Sequence, residues 1–202
     1  MMAKGFSEQE KHVIRDKLYE EGKALFSQYG LKKTSISQIT KAVGIAQGSF
    51  YLFFTSKEEL YFDILEQEEA EMKAELLPLL SSGMTPDILK EILLIGLKQF
   101  EERPFFKNML MGDDMEVLMR KLPADRLHAH ITNDQDAFYP FIQKWKQEGI
   151  LKEGKPDVIV GMIRAFFTII LHKKEIGEDI YPETAELLAD CIANGIIVSK
   201  GE

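Results

Sequence analysis

Acidic side chains vanish from one part of this chain. Of 202 residues 33 are Asp or Glu, yet none lies between Gly22 and Lys57, a window that carries Lys23, Lys32, Lys33, Lys41 and Lys57. The formal charge of −8 argues, as a bulk average, against a partner as anionic as nucleic acid. The window runs against that average and marks one surface as built to approach an anion. Cysteine is nearly absent too. The single thiol, Cys191, excludes an intrachain disulfide, fits a reducing cytoplasm, and reads as a small buried hydrophobe within an apolar pattern. Long apolar runs are missing: Val158 to Leu171 is interrupted by Arg164 and falls short of the roughly 20 residues of a membrane span. The opening MMAKGFSEQEKHVIRDK is too charged for a signal peptide. A soluble cytoplasmic protein that meets no membrane is expected.

Patterns that carry catalysis are equally scarce. His128 and His130 stand two apart, on different sides of a helix, and His12 and His172 are isolated, so no metal site is indicated. No glycine-rich phosphate loop, no Ser/His/Asp order and no distinctive carboxylate pair occurs, which leaves no enzyme and no cofactor to assign.

What is present is helical. Apolar residues recur at three and four positions and nowhere alternate as a strand would, so the fold class is all-α. Ser7 with Glu10 and Ser35 with Gln38 make capping boxes, Gly44 closes the second helix, and Thr55 with Glu58 is expected to cap the fourth. Thr85 and Pro86 restart the chain after SSGMTP. Further helices are expected at about 86–102, 104–110, 113–121, 124–148, 156–174 and 182–199, with Gly or Pro at most joins. The division falls near Thr55: a helix-turn-helix head over 1–55 and a larger helical body over 56–202.

The stretch GIAQGSFYLFF, Gly44 to Phe54, concentrates aromatics on a short third helix. Two short helices joined by a glycine-containing turn are the signature of a helix-turn-helix. Phe50 and Phe54 are four apart and face the core, leaving Gln47, Gly48, Ser49, Tyr51 and Phe53 near the other side. The small front end lets the backbone approach a groove floor, and helix N-termini offer N–H groups to phosphate. TSISQITKAVGIAQGSFYLFFTSKEEL resembles the head of TetR-family (tetracycline-repressor-like) transcriptional regulators. Gly44, Ile45, Gly48, Ser49, Phe50, Tyr51, Phe54, Ser56, Lys57, Glu58 and Leu60 follow that motif in order.

The resemblance implies a third helix in the major groove, with Gln47, Gly48 and Ser49 at base edges and Tyr51 and Lys57 on phosphates. Ser35 and Ser37 at the front of the second helix and Phe53 complete the expected DNA face. Ser37 stands where the family often has Arg, Phe53 where Tyr or His is frequent, and Thr40 where Ala is common. Phe53 cannot hydrogen-bond a phosphate.

In the body, the helix over 156–174 is apolar on nearly every side, which implies partners on two sides, one of them a second copy of the chain. Ile163, Phe167, Ile170, Leu188, Ile192 and Gly195 are the expected contacts of a homodimer, whose twofold symmetry predicts a palindromic double-stranded DNA operator. Phe100, Phe105, Met109, Phe141, Trp145, Met162, Arg164 and Phe166 form the candidate pocket for a small, largely apolar effector. A guanidinium in so apolar a helix is expected to pair, with an internal carboxylate or an anionic ligand. The expected function is a DNA-binding repressor released by that effector. Control by a protein partner, or an all-α small-molecule binder or enzyme without DNA function, are the alternatives.

Overall fold

The computed structural model describes residues 6–81, 83–111, 114–124, 126 and 139–198. Phe138, His128, His130 and Gly112 lie outside the described residues. Helices account for nearly all of the structure: α1 (Glu8–Lys33), α2 (Ile36–Val43), a 3-10 helix (Gln47–Leu52), α3 (Lys57–Ser81), α4 (Pro86–Glu102), α5 (Pro104–Met111) and α6 (Asp114–Lys121) come first. They are followed by α7 (residues 139–147), α8 (Pro156–Thr168), a 3-10 turn (Ile169–His172), α9 (Lys173–Ile176) and α10 (Tyr181–Ile196). Among the described residues the extended backbone pairing is one isolated antiparallel bridge, Leu151 with Ile197.

Two compact units divide the chain, one within residues 1–69 and 103–124, the other within 70–102 and 125–202. The first unit therefore holds residues 103–124 together with the N-terminal helices. In the first unit α1 packs on α2, α5 and α6, around an aromatic chain in which Phe26 meets Tyr61 edge-on with centroids 5.0 Å apart and Tyr61 meets Phe105 at 4.6 Å. Phe26, Tyr61, Phe105 and Phe106 are all fully buried, and burial of this size contributes about 2 kcal/mol or more for each ring. A buried carboxylate adds a polar tie. Glu68 takes Lys23 from α1 and Arg103 from the α4–α5 junction, the latter at 3.6 Å, and Arg103 also donates to the Glu68 carbonyl at 3.3 Å.

In the second unit α4, α8 and α10 pack on one another through Leu93, Leu97, Ile163, Phe166, Ala189 and Ile192. The single helix expected over 156–174 is three pieces. Thr168 sends its hydroxyl back to the Ala165 carbonyl at 2.7 Å, and the chain tightens into 3-10 form directly after it.

Ser7 and Glu10 close the reciprocal box at the start of α1, as Ser35 and Gln38 do for α2, and Thr85 accepts the Ile88 N–H at 3.3 Å. At α3 the cap sits one residue later than expected. Ser56 accepts the Glu59 N–H at 3.1 Å, and the Glu59 carboxylate accepts from both the N–H and the hydroxyl of Thr55 at 2.6 Å. Thr55/Glu58 and Ser56/Glu59 have the same spacing, so sequence alone offers both.

Candidate nucleic-acid interface

The helix pair is built by local chemistry. Ser35 accepts the Gln38 N–H at 3.2 Å while the Gln38 side-chain oxygen accepts the Ser35 N–H at 2.8 Å, which pairs two donors otherwise orphaned at the helix start. Thr40 is buried where a small apolar residue would fit, and its hydroxyl is satisfied by the Ile36 carbonyl at 2.9 Å. Gly44 ends the helix in the left-handed region, φ 83° and ψ 29°, returning its N–H to the Thr40 carbonyl at 3.0 Å. A Cβ at Gly44 would meet nothing within 4 Å, so glycine is required there by backbone angle and not by space.

The third helix is held from inside by its aromatics. Phe50 is fully buried and Phe54 is 2% exposed; their rings lie 5.8 Å apart, and Phe54 also meets Tyr19 edge-on at 5.8 Å and carries the Arg15 guanidinium 5.0 Å above its face. The 3-10 hydrogen bonds, Ser49 N–H to Ala46 and Phe53 N–H to Phe50, both 2.9 Å, wind it tightly. Outward lie Gln47, Gly48, Tyr51 and Leu52, with Tyr51 56% and Leu52 67% exposed. A Cβ on Gly48 would also find open space, so the missing side chain serves no internal contact. Ser49 and Phe53 are half-buried, Phe53 resting 6.3 Å from the Phe6 ring, which gives it a packing role in place of the phosphate contact it cannot make.

Between the start of α2 and the third helix lies an open concavity of about 460 Å³, lined by Lys32, Lys33, Ser35, Ser37, Gln47 and Tyr51 among others. Six of the eight residues expected on the DNA face, Ser35, Ser37, Gln47, Gly48, Ser49 and Tyr51, thus sit on two adjoining helix ends. Lys57 is different. Its ammonium donates to the carbonyls of Leu31 at 2.6 Å, Thr34 at 2.7 Å and Lys32 at 3.4 Å. An ammonium has three donors, and here all three are used on the end of α1, so Lys57 acts as a cap. Leu52, absent from the expected set, is the most exposed large apolar side chain of the pair; its exposure follows from the inward Phe50 and Phe54 two positions to either side, which periodicity alone does not rank.

The body residues fall in both units. Phe105 belongs to the first unit, against Tyr61 and Phe106, and Met109 lies on the same helix. In the second unit Phe141 and the buried Trp145 are 6.2 Å apart, and Phe167 bridges Phe100 and Phe166 at 5.5 Å from each. Met162 is 39% exposed and Arg164 is exposed, so the guanidinium is solvated and has no need of the pairing expected for it. Ile163 and Ile192, expected at a dimer contact, are buried in the protomer's own core with Phe167, Ile170 and Leu188 packed against it. The apolar residues that α8 and α10 leave outside are Val158, Met162 and Leu187, continued by Val198 just beyond α10. Gly195 is on that outer side, and so is Cys191, exposed where a buried thiol was expected. The apolar stripe of α10 is wide enough to be split between two faces.

The geometry of α2, the Gly44 turn and the third helix defines a helix-turn-helix protein with a helical body. Residues 18–64 match the family model of the bacterial regulatory proteins, tetR family. The chain is 34% identical over 64 residues to the HTH-type transcriptional regulator AcrR of Shigella flexneri, a match over 32% of this chain and 30% of AcrR. Over 188 residues, 86% of this chain and 83% of the other, it is 23% identical to the protein of Escherichia coli K12 named "Probable acrEF/envCD operon repressor". Among solved structures the SmeT–triclosan complex superposes with a TM-score of 0.65 at 17% identity, covering 93% of each chain. Over residues 18–64 the chain is thus similar to the tetR family of bacterial regulatory proteins.

Proposed function

We propose that the chain is a sequence-specific, DNA-binding transcriptional regulator of the cytoplasm, a repressor and not an enzyme. The observation that carries this reading is the outward face of Gln47, Gly48 and Tyr51 on a helix anchored by Phe50 and Phe54, within a window devoid of acidic residues. An amide at the front of such a helix suits a bidentate pair with adenine, and Tyr51, Lys32 and Lys33 suit the phosphates on either side. Two such heads in a twofold dimer read half-sites about 34 Å apart. The outer residues Val158, Met162, Leu187 and Val198 are the proposed dimer contact. A small apolar effector taken up beside Phe100, Phe141, Trp145 and Phe166 releases the operator by preferring the DNA-incompetent state. A triclosan complex of the structural neighbour SmeT supports an effector of that kind.

The test is a titration of duplexes selected from a random-sequence pool. Gln47→Ala should change preference at one base pair, and Tyr51→Ala should weaken all sequences and lower the salt slope by about 1. Absence of any salt-sensitive binding by the unaltered protein would overturn the reading.

A further inference from the structure

Near its C-terminal end α1 is interrupted. Gly30 sits at φ 76° and ψ 168°, a conformation that glycine alone adopts readily, so the turn over residues 31–33 is separate from the helix before it. Just after the break the Leu31 N–H lies in a buried place and takes an acceptor from a distant segment. Asp114, the first residue of α6 and 5% exposed, supplies one: its carboxylate accepts from Leu31 N–H at 3.0 Å and from the Tyr61 hydroxyl at 3.2 Å. At the other end of the same turn Lys57 holds the carbonyls of Leu31 and Thr34, and the Thr34 hydroxyl returns to the Gly30 carbonyl at 2.8 Å. A negative group at the amide end and a positive group at the carbonyl end match the dipole of the turn between them. The next residue, Ser35, is the N-cap of α2.

We infer that Asp114 is a positioning residue for DNA binding: it fixes the joint over residues 30–34, from which α2 and the third helix project. Its placement in the chain gives this meaning. Residues 103–124 join the first unit after the chain has passed through α4 of the second, so the segment that follows α4 delivers the carboxylate on which the joint depends. Asp114 touches no nucleic acid in this scheme; it acts through Leu31 and the α2 N-cap.

This inference rests on the DNA-binding reading, and its test keeps the two apart. The duplex recovered by selection with the unaltered protein is titrated against Asp114→Ala and Asp114→Asn, each normalised to its folded fraction. Loss of a buried hydrogen bond to a charged group predicts that the alanine variant binds roughly tenfold more weakly or worse, with accelerated hydrogen exchange at the Leu31 amide. The asparagine variant, which keeps an acceptor oxygen, should recover most of both. Equal affinity per folded molecule, or an asparagine variant no better than alanine, overturns the inference while leaving DNA binding intact. Should the alanine variant fail to fold, exchange on the unaltered protein decides: the Leu31 amide should be protected to the degree of Leu118 in α6, and exchange as fast as at an exposed turn overturns it. Failure of the unaltered protein to bind any duplex strikes the proposed function instead.

Discussion

The head helices and the last helices of the body are started by different means. At α1 and α2 a serine and a residue three positions on exchange reciprocal hydrogen bonds, and at α3 Ser56, Glu59 and Thr55 do similar work. At α8 and α10 no side chain caps the first turn; a proline stands there and the preceding residue, Lys155 or Ile180, contributes only its backbone. In the head α2 has only eight residues, too few to form readily without its cap, while the six-residue 3-10 helix, which has no side-chain cap, is held by the buried Phe50. The body's helices are held by broad apolar faces. Local chemistry therefore specifies the part that presents a surface, and burial specifies the part that encloses a core.

This contrast can be broken at several points. Phe50→Ala removes the fully buried anchor of the third helix and should cost about 3–5 kcal/mol, read by urea denaturation; a loss below about 1 kcal/mol would mean the helix is held by something else. Lys57→Met should cost about 1.5–3 kcal/mol, since charged hydrogen bonds to three carbonyls are lost. Its DNA affinity should fall without the unit drop in salt slope that removal of a phosphate contact would give. Gly44→Ala forces a side chain into the left-handed region at a cost of about 1–2 kcal/mol. Ser35→Ala should cost about 1 kcal/mol, whereas Lys155→Ala, at a position without a side-chain cap, should stay within about 0.5 kcal/mol; equal costs would erase the contrast between head and body.

The smallest effect at neutral pH belongs to Tyr181, whose burial, with Glu101 nearby, pushes its phenol up to about 12. The folded state keeps this proton longer than the unfolded chain, where a phenol titrates near 10. Its contribution is therefore complete below pH 10 and is lost as pH rises from 10 towards 12. Tyr181→Phe should leave stability at pH 7 within about 1 kcal/mol and flatten the decline above pH 10, measured by thermal unfolding across that range.

Legibility followed the same division. Capping boxes, the Gly44 turn and the inward pair Phe50 and Phe54 were readable because each depends on residues within a few positions of one another. The capping contacts of Lys57 are not readable, for the opposite reason. A lysine at a helix start looks free to meet phosphate, and its three carbonyl partners lie 23 to 26 residues back along the chain. Asp114 was invisible, since nothing in its neighbourhood announces that it will cap an amide 83 residues earlier. In the body, the apolar pattern points Ile163 and Ile192 to a contact with a second copy, whereas they lie in the chain's own core: helices apolar around most of their circumference do not say which stripe meets that core and which, with Leu187 at 65% exposure, is left outside.

The sequence by itself determined that this protein is helical, where most of its helices begin and end, and which short helix bears an outward face of small and polar residues. These properties follow from contacts within a turn or two, which the order of residues sets directly. Tertiary structure alone decided the joint at residues 30–34, the employment of Lys57 and Asp114, and the outer face of α8 and α10. Those depend on groups brought together from distant parts of the chain, and no local pattern encodes a distance between them.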